Sequence, residues 1–206
     1  TNSNSAFTIG GDEYSTLEDA VKAVQDGETI VMRRNVTLSK SAILDIGKTY
    51  TLDFSGYKLS GTTSQLLDLR NGTVTLQNGS VTTSGSDAVR VRSAKVNILS
   101  GTYTAQYSTL NTGGTVVITS GHFVETASVG YGAIYKTGGS LTLAEGSAAS
   151  ATKWINGASD VTITARDTTA PVLSAGTVNR TSDTAATIDF TTDEAGTAYY
   201  VELASG

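Results

Sequence analysis

The sequence predicts an all-β protein, a parallel β-helix of about six to seven coils. Three observations predict it. Short segments of alternating apolar and polar residues recur through the chain, and they return at intervals of 20 to 25 residues. The composition agrees, because 22 glycines, a single proline and abundant threonine, serine and valine favour short strands joined by tight turns over long helices.

The interval between strands is the main evidence for a solenoid. The apolar residues that open successive strands lie 22, 22, 22, 20, 25 and 20 residues apart. They are Ile30, Leu52, Val74, Val96, Val116, Leu141 and Val161. One coil cannot bury its apolar side alone, so coils of this kind stack and share a continuous core. A propeller, with about 40 residues per repeat, fits these intervals less well.

A glycine follows four of these strands with the same rhythm. The four are Gly79, Gly101, Gly121 and Gly146. Each is followed two residues later by a residue that we expect to face inward: Val81, Tyr103, Phe123 and Ala148. A glycine at this place indicates a corner of the coil at which a Cβ would be costly.

One helix is predicted near the start of the chain, over residues 15–26. Ser15 and Glu18 have the spacing of a capping box, and Gly27 has the position of a C-terminal cap. The apolar residues recur at helical spacing: Leu17, Ala20, Val21 and Val24. A short helix with one apolar face needs a partner surface, so we expect it to cover the N-terminal end of the solenoid.

The repeat stops at residue 167, which predicts a β-helix over residues 1–166 and a separate β-rich segment over residues 167–206. The only proline, Pro171, lies in the stretch expected to be a linker. Alternating residues then predict strands over Ala185–Thr191 and Thr197–Leu203. About 40 residues are too few for a complete β-sandwich of about 100.

Charge and cysteine content exclude several classes of function. The net charge is −5 and the paired arginines are too few to form a basic stripe, so nucleic acid is not an expected partner. The chain has no cysteine, which excludes disulfides, thiol nucleophiles and cysteine metal sites. No segment approaches the roughly 18 apolar residues of a membrane span.

Several segments resemble a known family. The opening "FTIGGDEYSTLEDAVKAVQDGETIVMRRNVTLSKS" and the coils "YTLDFSGYKLSG", "GGTVVITSGHF" and "GGSLTLAEGS" resemble the pectin-lyase-like β-helix. They are most similar to β-helical regions of surface proteins of Gram-positive, often gut-dwelling, bacteria. The resemblance implies a right-handed, single-stranded helix in an extracellular or cell-surface setting. The segment after residue 167 resembles the start of a fibronectin or immunoglobulin-like module.

Acidic residues on successive coils are candidates for a cation site. Pectate lyases, to which the chain is similar, hold calcium with clustered carboxylates and use an arginine or lysine as base. Asp45 and Asp68 lie 23 residues apart and Arg90 one coil further, so the two carboxylates could stack and share calcium. One acid per coil on a solvated face is the alternative. No other cofactor is expected, and His122 is expected to point outward as a surface residue.

Aromatic residues are the stronger functional signal. Tyr107, Tyr131, Tyr135 and Trp154 fall on consecutive coils, whereas Tyr103 is expected inside because of its place after Gly101. Flat apolar rings can stack on sugars, and the neighbouring polar residues Asn111, Lys136 and Asn156 could bond the hydroxyl groups. The alternative is that Trp154 simply plugs the end of a coil.

The sequence therefore favours a non-catalytic surface or secreted module that binds a glycan or a host-surface ligand. A structural spacer that presents other domains is the first alternative. A polysaccharide lyase or hydrolase is the second, and it would require acids that converge with an arginine or lysine.

Overall fold

A computed structural model describes residues 5–127, 130–167, 172–182 and 184–193. The chain divides into two compact units, residues 1–166 and residues 167–206. The first unit contains the helix α1 (Leu17–Ala23). Its strands are β1 (Phe7–Ile9), β2 (Asp12–Tyr14), β3 (Thr29–Met32), β4 (Val36–Leu38), β5 (Ala42–Asp53), β6 (Lys58–Gly61), β7 (Gln65–Gln77), β8 (Ser80–Thr83), β9 (Asp87–Val91), β10 (Lys95–Ile98), β11 (Thr102–Ala105), β12 (Ser108–Thr112), β13 (Thr115–Ile118), β14 (Gly121–Glu125), β15 (Ile134–Lys136), β16 (Ser140–Leu143), β17 (Ala148–Ala149) and β18 (Asp160–Thr164).

The strands of the first unit form three parallel ladders, which confirms the β-solenoid. The first ladder joins β3, the end of β5, the end of β7, β10, β13 and β16. The second joins β4, β6, β8, β11 and β14. The third joins the start of β5, the start of β7, β9, β12 and β15. The solenoid makes about five turns, fewer than the six to seven expected.

The repeat interval predicts most of the register in the first ladder. Val74, Val96, Val116 and Leu141 are paired neighbours on successive coils. Leu52 is the exception, because it pairs with Leu76, while Tyr50 pairs with Val74. The cause is an irregularity earlier in β5, between Asp45 and Thr49, where one coil carries more residues than the next. The inward side chains of all these coils form one buried apolar core.

Two of the four glycines that follow the strands show why a glycine is needed at that place. A Cβ added to Gly79 would lie 2.3 Å from the Cβ of Phe54, which is far inside contact distance. Gly101 has a φ of +125°, a conformation that residues with a side chain rarely adopt. Val81, Tyr103 and Phe123 face inward as expected, and the rings of Tyr103 and Phe123 stack at 5.0 Å. Ala148 is exposed, so the inward prediction is wrong there.

The helix has its expected apolar face but shorter bounds than the predicted 15–26. Thr16, and not Ser15, is the N-cap: its Oγ1 accepts from the backbone N–H of Asp19 at 3.1 Å and donates to the Asp19 carboxylate at 2.7 Å. The helix ends at Ala23, before Gly27. The four apolar residues of the predicted stripe are all buried in the common core: Leu17, Ala20, Val21 and Val24.

The other end of the solenoid differs from the prediction of a seventh parallel coil. Strand β18, which contains Val161, pairs antiparallel with β14 and also with β17. Val161 therefore lies opposite Phe123, the position that the repeat assigned to Ala148. Val161 and Ile163 cover the stacked rings with larger apolar side chains than Ala148 could supply, and the returning strand occupies the edge of the second ladder.

The second unit, within the residues described, is a two-stranded antiparallel ribbon of β19 (Leu173–Ser182) and β20 (Ala185–Thr192). The second of these strands confirms the predicted segment Ala185–Thr191. Pro171 and the predicted strand Thr197–Leu203 lie outside the described residues.

Candidate functional site

The third ladder carries a column of polar side chains on successive strands. Asp68 in β7 pairs with Arg90 in β9, Arg90 pairs with Asn111 in β12, and Asn111 pairs with Tyr135 in β15. Parallel pairing brings these four residues, which are 21 to 24 positions apart in the sequence, to strand spacings of about 4.8 Å. A second column beside it joins Gln65, Asp87 and Ser108.

A groove of about 590 Å³ lies over these two columns. We call it the tyrosine groove, and its lining consists of Gln65, Ser86, Asp87, Arg90, Tyr107, Ser108, Asn111, Tyr131 and Tyr135. The side chains of Tyr107 and Tyr131 are 36% and 50% exposed. The ring of Tyr131 stands edge-on to the ring of Tyr135 with 5.3 Å between their centroids. The groove therefore has aromatic walls and a polar floor.

Asp87 is the centre of the polar floor and is only 4% exposed. Its carboxylate accepts a hydrogen bond from the Ser108 hydroxyl at 2.6 Å and from the Asn111 side-chain amide at 3.3 Å. Burial raises the pKa of Asp87 above its ordinary value; these hydrogen bonds and the charges of Arg90 and Arg92 offset only part of that effect. The carboxylate thus anchors two neighbouring side chains from a desolvated position.

Two other polar atoms in the groove have no hydrogen-bond partner. They are Nε of Arg90 and Oδ1 of Asn111, both shielded from solvent. Among the described residues, the other buried side-chain atoms of this kind are the Tyr50 hydroxyl and the Thr112 hydroxyl. A buried polar atom without a partner costs about 1–3 kcal/mol. Because these two atoms have no accessible surface, a ligand in the groove does not reach them unless the side chains move.

The expected pairing of Asp45 with Asp68 is wrong in its geometry. Asp45 is exposed and pairs with Asn71, whereas Asp68 pairs with Ile43 and is only 2% exposed. Asp68 is buried because arginine side chains cover it. Arg70 donates to one carboxylate oxygen through Nε and Nη2 at 2.9 and 2.8 Å, and Arg92 Nε donates to the other at 2.8 Å.

Calcium at Asp68 would have to displace these arginines. The described residues contain no group of three or more histidine, cysteine, aspartate or glutamate side chains that could hold a metal ion. Calcium binding by Asp45 and Asp68 therefore receives no geometric support from the residues present.

The structure brings three of the four predicted aromatic residues together. Tyr107, Tyr131 and Tyr135 line the tyrosine groove, but Trp154 is absent from its lining and instead packs, partly buried, against the hydrophobic core. The polar neighbours divide in the same way. Asn111 lies in the groove floor, whereas the Asn156 side chain is bonded to the backbone N–H and C=O of Lys136, at 2.6 and 3.1 Å.

The outward and inward predictions in β14 are confirmed. Phe123 is fully buried, and the neighbouring His122 is partly exposed, with its Nε2 2.8 Å from an oxygen of Asp160. A smaller cavity of about 290 Å³ lies between the start of α1 and β4. Its lining includes neither an exposed aromatic residue nor any of the unpartnered polar atoms in the described residues, so the tyrosine groove is the better candidate.

Asp87 and Ser108 are the groove residues that the aromatic pattern alone does not select. The repeat interval could have selected them, because Gln65, Asp87 and Ser108 are separated by 22 and 21 residues. The same intervals that predict the stacking of core residues also predict which polar residues form a column on the surface.

Comparison with known proteins finds no protein-family model, no curated protein and no solved structure that matches this chain. In the part of the chain that the structure describes, no helix has the length and apolar character of a membrane span. The described residues form a β-solenoid with a tyrosine-lined groove on one of its three ladders.

Proposed function

We propose that this chain is a non-catalytic carbohydrate-binding module whose ligand lies in the tyrosine groove. One observation carries the proposal. Three tyrosine rings, of which Tyr107 and Tyr131 are exposed, line a groove together with the polar residues of its floor. Sugars have apolar C–H faces that stack on aromatic rings and hydroxyl groups that both donate and accept hydrogen bonds.

The dimensions of the groove suit such a ligand. Its volume of about 590 Å³ falls inside the range of about 300–1,000 Å³ that is typical of small-molecule sites. Tyrosine is well suited to the walls, because its ring offers a rigid apolar surface and its hydroxyl can bond a polar group at the rim. The floor belongs to regular parallel strands, so its polar atoms are held in fixed positions.

The carboxylates support binding over catalysis. Most glycosidases use two carboxyl groups about 5–10 Å apart, one as acid and the other as base or nucleophile. Among the described residues that line the groove, Asp87 is the only carboxylate. The next acid in the ladder is Asp68, and both of its oxygens are bound by arginines.

The setting that best accommodates this module is the surface of a Gram-positive bacterium or its surroundings, where it would serve in adhesion. The support is the resemblance of its coils to pectin-lyase-like regions of such surface proteins, together with a weakly charged, hydroxyl-rich composition. In the same proposal, the segment after residue 167 is part of a fibronectin or immunoglobulin-like module.

Binding of the complete chain to a broad glycan array tests the function, with calcium and with a chelator. Tyr131→Ala is the diagnostic variant, because its ring is half exposed in the groove wall. Tyr57→Ala is the matched control, since Tyr57 is 38% exposed but lies outside the groove. We expect glycan binding that survives chelation, weakens in Tyr131→Ala and is unchanged in Tyr57→Ala.

Absence of binding to every glycan, in both conditions, would overturn the proposal and leave the structural spacer as the better account. Binding that both variants retain in full would place the glycan outside the tyrosine groove. Binding that requires calcium would restore the cation hypothesis at a place other than the arginine-bound Asp68.

A further inference from the structure

We propose that Asn71 is a site of spontaneous deamidation, at which the backbone nitrogen of Gly72 attacks the side-chain amide and the asparagine becomes aspartate or isoaspartate. The sequence contains three Asn-Gly pairs: Asn71-Gly72, Asn78-Gly79 and Asn156-Gly157. This reaction is fastest when glycine follows the asparagine, because glycine has no Cβ to shield its nitrogen. The modification is independent of the proposed carbohydrate binding.

The three Asn-Gly pairs are equally accessible to water, so exposure does not distinguish them. In each pair the asparagine is exposed and the glycine is partly exposed. They differ in the hydrogen bonds of the asparagine side chain. A side chain that is bonded to another residue is held away from the following backbone nitrogen, and those bonds must break before the reaction can start.

The Asn71 side chain is folded back onto its own backbone. The backbone N–H of Gly72 donates to Oδ1 of Asn71 at 2.8 Å. The side-chain Cγ is bonded to that oxygen at about 1.2 Å, so the attacked carbon lies within about 4 Å of the attacking nitrogen. Among the described residues, Nδ2 of Asn71, the leaving group, has no hydrogen-bond partner. The neighbouring coil places Gly47 beside this amide, and a glycine has no side chain to cover it.

The other two asparagine side chains are held by neighbouring residues at both ends of the amide. Nδ2 of Asn78 donates to the Asp53 carboxylate at 3.1 Å, and its Oδ1 accepts from the Ser100 hydroxyl at 3.3 Å. Oδ1 of Asn156 accepts from the backbone N–H of Lys136 at 2.6 Å, and its Nδ2 donates to the Lys136 carbonyl at 3.1 Å. Neither side chain can turn toward the next backbone nitrogen without losing these bonds, so Asn71 is the reactive member of the three.

The reaction consumes only water, with hydroxide as the base. Hydroxide removes the proton from the Gly72 nitrogen, which then forms a bond to Cγ of Asn71. The Cγ–Nδ2 bond breaks, and the departing nitrogen takes up a proton from water and leaves as ammonia. A second water opens the cyclic succinimide at one of its two carbonyl carbons and gives aspartate or isoaspartate. The product adds one negative charge beside Asp45, the residue paired with Asn71 on the neighbouring coil.

The test is incubation of the complete folded chain at mildly alkaline pH, followed by peptide mass spectrometry that assigns each deamidated residue. We expect Asn71 to deamidate at least about 10-fold faster than Asn78 and Asn156. A factor of 10 corresponds to about 1.4 kcal/mol, which is close to the net contribution of one hydrogen bond. The same chain unfolded in urea is the control, because the protecting hydrogen bonds are then absent and the three pairs should react at similar rates.

Two variants test the cause of the difference. Asp53→Ala removes the acceptor of the Asn78 amide, so deamidation at Asn78 should rise several-fold while the rate at Asn156 stays the same. Asn71→Gln should abolish the reaction at that position, because the longer side chain has to close a larger ring. Thermal melting of both variants confirms that they are folded.

Faster deamidation of Asn71 in the folded chain, together with similar rates for the three pairs in urea, supports the proposal. Deamidation of Asn78 or Asn156 in the folded chain as fast as that of Asn71 would overturn it. So would an Asn71 that stays intact in the folded chain over a period in which the unfolded chain reacts.

Discussion

Replacing Phe123 with alanine removes a ring that joins two coils and the strand closing the solenoid. The ring is fully buried, stacks on Tyr103 at 5.0 Å with an interplanar angle of 9°, and lies opposite Val161 in the antiparallel strand β18. Loss of a buried phenylalanine costs about 3–5 kcal/mol, which includes the stacking energy. For a chain of this size, each kcal/mol lowers the melting temperature by roughly 2–4 °C, so we expect a fall of about 6–20 °C.

Calorimetry or circular dichroism of the complete chain measures this effect, and His122→Ala provides the control. His122 is the adjacent residue in β14, but it points outward and its contact with Asp160 is exposed, so its loss should cost less than about 1 kcal/mol. Equal destabilisation by the two variants would refute the inward and outward alternation on which the solenoid depends. A negligible effect of Phe123→Ala would refute the closure by β18.

Two further predictions concern buried carboxylates. Burial raises the pKa of Asp87 in the folded chain above the ordinary aspartate pKa near 4. At a pH above that ordinary value, ionised Asp87 therefore lowers the stability of the fold. This loss of stability disappears as the pH falls through the raised native pKa. Thermal melting from pH 4 to pH 8 should therefore show that Asp87→Asn becomes more stable relative to the unaltered chain as the pH rises. A relative stability that falls with rising pH would contradict the raised pKa of Asp87. Asp68→Ala should lower the free energy of unfolding by about 1–3 kcal/mol, because Arg70 and Arg92 lose their partner. The loss is limited because these arginine side chains are 40% and 43% exposed and can be rehydrated. Asp45→Ala, at an exposed position, should lower the free energy of unfolding by less than about 0.5 kcal/mol. Equal losses of stability for the two variants in denaturant unfolding would rule out a structural role for Asp68 and its arginines.

The repeat interval predicts stacking wherever successive coils have equal length, and it fails where they do not. Leu52 was matched with Val74 but pairs with Leu76. A slip of two residues leaves every side chain on its original face, so an alternating pattern of apolar residues fits both registers equally well. Only the irregular segment after Asp45 distinguishes them, and Gly47 is the sequence signal of a bulge there.

The direction of a strand is likewise invisible to local pattern. The segment around Val161 alternates like the other strands, yet it runs antiparallel to β14. The apolar residues of this segment indicate that one face of the strand is buried, and they do not indicate its direction. The direction depends on whether the preceding loop completes a coil or turns back, and that is decided by which strand best covers Phe123 and the exposed edge of the ladder.

The candidate site was predictable in its aromatic residues and less so in its polar floor. The sequence selects Tyr107, Tyr131 and Tyr135 because Tyr107 and Tyr131 are 24 residues apart, about one coil, and Tyr135 follows Tyr131 by four residues. The alternative of one acid per coil on a solvated face is wrong for Asp68, because Arg70 and Arg92 cover its carboxylate. Burial by neighbouring surface side chains depends on their rotamers, which alternation does not encode.

NMR can locate the bound saccharide on the solenoid. Backbone amide shifts of the ¹⁵N-labelled chain would be followed during titration with a glycan that binds on the array. We expect shifts concentrated in the tyrosine groove, at residues such as Arg90, Asn111 and Tyr131, and reduced by Tyr131→Ala. Saturable shifts centred elsewhere, for example around Trp154 or Tyr57, would contradict the central claim that the ligand lies in this groove.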